Sequence, residues 1–122
     1  MKRLAVLGLA LVAALAPATA SAERYSVRYV LTVTDGYAGG YLGDRSVVTL
    51  NCDPAGGTHP EAEAACAAIA EAGSIKEITP TEGFCTMEYR PVTVTASGAE
   101  DFERTYGNRC ELRLAKGPVF AF

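Results

Sequence analysis

Four cysteines, Cys52, Cys66, Cys85 and Cys110, follow what reads as an export signal, and together they narrow what this 122-residue chain can become. Lys2-Arg3, an apolar run from Leu4 to Leu15 and small residues ending Ala18-Thr19-Ala20-Ser21-Ala22 follow the three-part plan of a secretory signal peptide. The run is shorter than the roughly 20 apolar residues a membrane span needs. Residues 1–22 are therefore expected to be removed, and residues 23–122 to form one secreted, extracellular domain. Cleavage falls before Ser21 or before Glu23, with Glu23 preferred. In an oxidising compartment an even number of cysteines reads as two disulfides, and three pairings are open. If sequence neighbours pair, the loops span roughly 14 and 25 residues, and each crosslink contributes roughly 3 to 3.5 kcal/mol. That is a large share of the stability of a small domain, whose single core often needs such help. His59, midway between Cys52 and Cys66, raises the alternative of a metal site. The six-residue gaps are unlike the short Cys-x2-4-Cys units of zinc modules, so no metal is expected.

Charge excludes some partners. Without Lys2 and Arg3, two of the 11 basic residues, 9 remain against 14 acidic side chains, and no basic cluster appears. No nucleic acid and no anionic membrane is expected as a partner.

Hydrophobic periodicity places the elements. Tyr25, Val27, Tyr29, Leu31 and Val33 alternate with more polar residues, the pattern of a half-buried strand. TDGYAGGYLGD, residues 34–44, is a glycine-rich turn or loop, and RSVVTLNC, residues 45–52, is a second strand. THPEAEAACAAIAEAG predicts the main helix: Thr58 and Glu61 have capping-box spacing, Pro60 fits a first turn, and Gly73 is a C-cap. Ala62, Cys66 and Ile69 then share a core-facing stripe. His59 reads as an exposed or capping imidazole at the helix start. After the polar connector SIKEITPTEG and the stretch FCTMEYRP, VTVTAS (residues 92–97) is a strand. GAED is a turn, a further strand surrounds Cys110 after Gly107-Asn108, and the apolar end PVFAF is expected to tuck into the sheet. The sum is an α+β domain of about five mostly antiparallel strands, with one main helix packed on one face and two disulfides.

Catalytic chemistry finds few candidates. One histidine, cysteines committed to disulfides and no Gly-x-Ser-x-Gly, His-Glu-x-x-His, Walker or GxGxxG pattern argue against an enzyme, and no cofactor is implied. Glu100 with Asp101 or Glu103 forms a conceivable carboxylate pair, but acidic residues in a turn are ordinarily solvated charge. FCTMEYRP, residues 84–91, offers more. If Cys85 is crosslinked to Cys110, the chain before Met87 is tied to a strand of the sheet, while Pro91 and the strand from Val92 fix the other side. The residues between project as a constrained, extended segment of the kind proteases read by strand addition. The plain alternative for Phe84 and Met87 is core filling.

RSVVTLNC, GTHPEAEAACAAIAEAG, CTMEYRPVTVTASG, NRCEL and the terminal VFAF, in that order and spacing, resemble the Streptomyces subtilisin inhibitor family of secreted serine-protease inhibitors. The resemblance covers residues 45–122 closely and 23–44 loosely. It implies Cys52 paired with Cys66 and Cys85 with Cys110. It implies a reactive bond at Met87-Glu88, with Phe84, Cys85, Thr86 and Tyr89 as the protease-contacting loop and Asn108 as its support. In protease-site terms Phe84 is P4, Thr86 P2, Met87 P1 and Tyr89 P2′. Thr86 stands where the family often has proline, and Glu88 where it often has a small or aliphatic residue. A subtilisin-type or chymotrypsin-like serine protease and a sheet-to-sheet homodimer are the implied partners. The alternative function is a secreted, non-inhibitory binding or assembly module.

Overall fold

A computed structural model describes residues 13–14 and 27–122. The expected signal peptide, apart from those two residues, and Tyr25 lie outside the described residues. In chain order the elements are β1 (Val27–Gly36), β2 (Leu42–Cys52), β3 (Gly56–Gly57), α1 (Ala62–Ala72), β4 (Val92–Gly98), β5 (Phe102–Tyr106) and α2 (Arg109–Lys116). The five strands form one antiparallel sheet in the order β3-β2-β1-β4-β5.

Period-two alternation in β1 sorts the two faces of this sheet. Tyr29, Leu31 and Val33 lie opposite Leu50, Val48 and Ser46 of β2, and opposite Gly98, Ala96 and Val94 of β4. This face is the core, with Leu31, Val33, Leu50 and Val94 almost fully buried. Helix α1 packs on β2 and presents Ala65 and Ile69, while Leu112 of α2, Ile75, Val119 and Phe120 complete the cluster. The other face carries Val30, Thr32, Val47, Thr93, Thr95 and Thr105. There Thr32 bonds to Thr95 and Thr93 to Thr105, and Val47 is exposed.

Five local expectations are corrected. The segment around Cys110 is helix α2, not a strand. Asn108 caps it, its Oδ1 accepting the Glu111 N–H at 2.8 Å, and Leu112 and Lys116, one turn apart, are its buried side chains. Over so few residues the alternation of Leu112 and Leu114 imitates a strand. The PVFAF end is also not a strand; it turns back through the bonds Val119 N–H to Lys116 O and Ala121 N–H to Pro118 O, with Val119 and Phe120 buried. Helix α1 begins at Ala62, so Pro60 precedes it and Thr58 does not cap it; the Thr58 hydroxyl instead accepts the Thr49 N–H. His59 is buried, not exposed. Its Nδ1 accepts the Glu61 N–H at 2.9 Å and its Nε2 bonds the Val119 carbonyl at 2.8 Å, joining the start of α1 to the chain end. The strand after the glycine-rich turn starts at Leu42, three residues earlier than expected, which makes residues 37–41 a hairpin tip.

Candidate functional site

Residues 79–91 contain neither helix nor strand, yet the chain is anchored at each end. It enters along α2, where the Thr81 N–H donates to the Leu114 carbonyl at 2.8 Å. At Gly83 a Cβ would lie 2.5 Å from Leu114 Cδ2, so a side chain there would require the Leu114 side chain to shift. Cys85 is joined to Cys110 with the Cα atoms 5.8 Å apart. Because Cys110 is in the first turn of α2, the crosslink ties the loop to a helix and not, as expected, to a strand. Beyond the loop the Arg90 N–H donates to Gly107 O at 2.9 Å, and the Pro91 carbonyl accepts the Gly36 N–H at 2.7 Å.

One side chain spans the interval between these anchors. Asn108, buried at the start of α2, donates from Nδ2 to the carbonyls of Thr86 at 3.3 Å and Glu88 at 2.9 Å. Its Oδ1 is engaged by the helix, so the amide is fixed in orientation and both donors face the loop. Met87 lies between the two held carbonyls. A bracket on either side of one residue restrains the backbone there without touching its side chain.

From Thr86 to Arg90 the side chains alternate, with Thr86, Glu88 and Arg90 toward one side and Met87 and Tyr89 toward the other. Phe84, Met87 and Tyr89 are 95%, 101% and 73% exposed, which overturns the core-filling reading of Phe84 and Met87. Thr86, Glu88 and Arg90 line an open cleft of about 610 Å³ whose far wall is the β1–β2 hairpin. Glu88 and Arg90 form an ion pair at 2.8 Å. Both are well exposed, so solvent screening leaves the pair little weight in stability.

The other cysteines join Cys52 to Cys66, tying the end of β2 to α1. All four are thereby consumed, and among the described residues no group of three or more His, Cys, Asp or Glu is placed to hold a metal ion. Glu100, weighed as half of a carboxylate pair, accepts the N–H groups of Ile75 at 2.6 Å and Lys76 at 2.9 Å. It fixes the connector after α1. Lys116 escaped the sequence reading. It is buried, its Nζ donating to the carbonyls of Ile75, Lys76 and Ile78 at 2.9 to 3.3 Å, and burial, with the neighbouring Arg104 charge, pushes its pKa below the usual lysine value. Its only sequence signal was its place one helical turn after Leu112, which a strand assignment hides.

A family profile described as Subtilisin inhibitor-like matches residues 26–108. Protease inhibitor SIL-V2 of Streptomyces orinoci is 42% identical over 102 residues, covering 76% of this chain and 93% of that protein. Subtilisin inhibitor-like protein 1 of Streptomyces cacaoi is 42% identical over 103 residues, with the same coverage of each chain. Among solved structures, Streptomyces caespitosus sermetstatin in complex with Bacillus licheniformis subtilisin matches with a TM-score of 0.55 at 28% identity, covering 78% of this chain and 99% of that one. The fold, the paired disulfides and these similarities agree, and the chain belongs to the subtilisin inhibitor-like family.

Proposed function

We propose that this chain is a secreted proteinaceous inhibitor of subtilisin-type serine proteases, and not itself an enzyme, with Met87-Glu88 as its reactive bond. The observation that carries the reading is the bracket around Met87: Asn108 holds the carbonyls on both sides while the methionine side chain projects fully into solvent. A protease can take that side chain into its S1 pocket without unfolding anything. The serine approaches the Met87 carbonyl, whose oxygen enters the oxyanion hole as a substrate's would. Because the loop is already ordered, docking costs little conformational entropy, and the complex dissociates slowly.

If the bond is cut, the new amine belongs to Glu88, whose own carbonyl is held by Asn108. The acyl side is held through Thr86 and the Cys85–Cys110 crosslink. The two ends stay close, so rejoining competes with water. Met87 suits a broad apolar S1 pocket, and Phe84 an apolar S4 site. The same reading has residues 1–22 removed on export. It also pairs two copies through the open sheet face around Val30 and Val47, leaving one reactive loop per subunit on the outside.

Titration of subtilisin with the mature chain tests the reading. Stoichiometric loss of activity is expected, with any cleavage confined to Met87-Glu88. Rapid digestion without inhibition would instead mark a non-inhibitory binding module.

A further inference from the structure

The β1–β2 hairpin and the reactive loop are two walls of one cleft: Tyr37 and Tyr41 face Thr86, Glu88 and Arg90 across it. The hairpin base is bonded to the exit of the loop. Gly36 donates its N–H to Pro91 O at 2.7 Å and accepts the Thr93 hydroxyl at its own carbonyl at 2.9 Å. Asp35 pairs at 3.0 Å with Arg109, which sits between the bracket residue Asn108 and the crosslinked Cys110. The tip itself is closed. The Tyr37 N–H donates to Tyr41 O and the Gly40 N–H to Tyr37 O, each at 3.1 Å, and the Tyr37 ring packs so closely on Gly40 that a Cβ there would lie 1.9 Å from it.

This ordered tip carries exposed apolar surface. Tyr37, Tyr41 and Leu42 are exposed, Tyr41 by 76%. A standard protein–protein interface takes roughly 20 to 30 residues a side. Residues 84–89 cannot supply that number, so a protease seated on them must touch further surface. Rigid, amphipathic tyrosines are the side chains that such surfaces favour, because they bury much area for little lost freedom.

We infer that the hairpin tip, led by Tyr41, is a second protease-contacting element that packs on the rim of the enzyme's cleft beside the residues following the reactive bond. The inference rests on the reading of Met87-Glu88 as that bond. Most loop residues sharing the cleft, Glu88, Arg90 and Pro91, come after it, which places the contact on the primed side. Its consequence is specificity: two proteases with the same S1 preference but different primed-side rims are distinguished by this tip.

Dissociation rates from subtilisin, measured for the mature chain, Tyr41→Ser and Tyr41→Phe, test it. Tyr41→Ser is expected to dissociate about tenfold faster with its thermal midpoint unchanged, and Tyr41→Phe to stay within about twofold of the parent. Tyr41 is also expected to be shielded from nitration in the complex. A Tyr41→Ser chain that inhibits with an unchanged dissociation rate overturns the hairpin contact and leaves the reactive loop standing. A parent chain that leaves subtilisin active removes both.

Discussion

Asn108 Nδ2 lies 2.9 Å from the Glu88 carbonyl oxygen, while the oxygen of the same amide caps helix α2 through the Glu111 N–H. One residue thus couples a helix start to the loop, and its two ends can be separated by substitution. Asn108→Asp keeps an acceptor for the cap and places negative charge at a helix N-terminus, where it is favourable. It removes the donor and sets a carboxylate against two carbonyl oxygens. We expect Asn108→Asp to keep most of the fold's stability but to be cleaved at Met87-Glu88 and released as a substrate. Asn108→Ala should lose both functions, with a capping cost of about 1 kcal/mol. Chemical denaturation and inhibitor turnover, measured side by side, check this; equal turnover of Asn108→Asp and the parent would detach the bracket from inhibition.

The two crosslinks should differ in what they support. Replacing Cys52 and Cys66 by serine opens a loop with a sequence separation of 14, and replacing Cys85 and Cys110 opens one of 25. The chain-entropy estimate is similar for both, roughly 3 kcal/mol. Only the second pair holds the loop. At a temperature where both variants remain folded, the Cys52/Cys66 variant should still inhibit subtilisin, and the Cys85/Cys110 variant should be digested at the loop. Equal inhibition by both would show that the loop is held by hydrogen bonds alone.

The alternating strands were legible because burial of one sheet face imposes a period of two, and Leu31, Val33, Leu50 and Val94 sit where that period put them. The main helix was legible from its alanines and its Gly73 C-cap, which is left-handed and donates to Ile69 O as expected. What misled were features decided by tertiary contact. Thr58 and Glu61 have capping-box spacing, but the Thr58 hydroxyl is claimed by Thr49 in the neighbouring strand, so the helix starts later. Eight residues of α2 are too few for periodicity to arbitrate between helix and strand, and its cap is Asn108, which the sequence presents with Gly107 as a turn before a strand. At the site, family motifs pointed to Met87 and its neighbours. The hairpin as the opposite wall of the cleft was not legible, because no local rule relates Tyr41 to Glu88.

Specificity should follow the side chain at position 87. Met87 is fully exposed and makes no packing contribution to the core, so Met87→Lys should leave the thermal midpoint unchanged. The lysine should create inhibition of trypsin, whose S1 pocket holds a buried aspartate, and weaken that of subtilisin by about tenfold or less. Inhibition constants against both enzymes check it, and unchanged values for both would place the inhibitory contact elsewhere.

Alkaline pH should loosen the fold through its core tyrosines. Burial raises the pKa of Tyr29, with the nearby Glu100 charge adding to it, and burial raises that of Tyr106 against an opposing effect of Arg104. The Tyr106 hydroxyl, moreover, is buried with no hydrogen-bond partner among the described residues to stabilise its anion. A tyrosine whose folded pKa exceeds the unfolded value of 10.0 contributes stability that is fully present below pH 10 and is lost as pH rises through the folded pKa, because the unfolded chain releases its proton first. Lys116 acts oppositely. Its folded pKa lies below 10.5, so stability rises with pH between the folded value and 10.5 as the native state sheds a proton the unfolded chain still holds. Above pH 10.5 the lysine effect is complete, and the decline from the tyrosines stands alone. Urea midpoints measured from pH 8 to pH 12 should therefore fall above pH 10.5. Tyr106→Phe removes an ionisable hydroxyl without a partner, so it should be tolerated at pH 8 and should flatten the fall; a fall of unchanged steepness in that variant would exclude Tyr106 as a source.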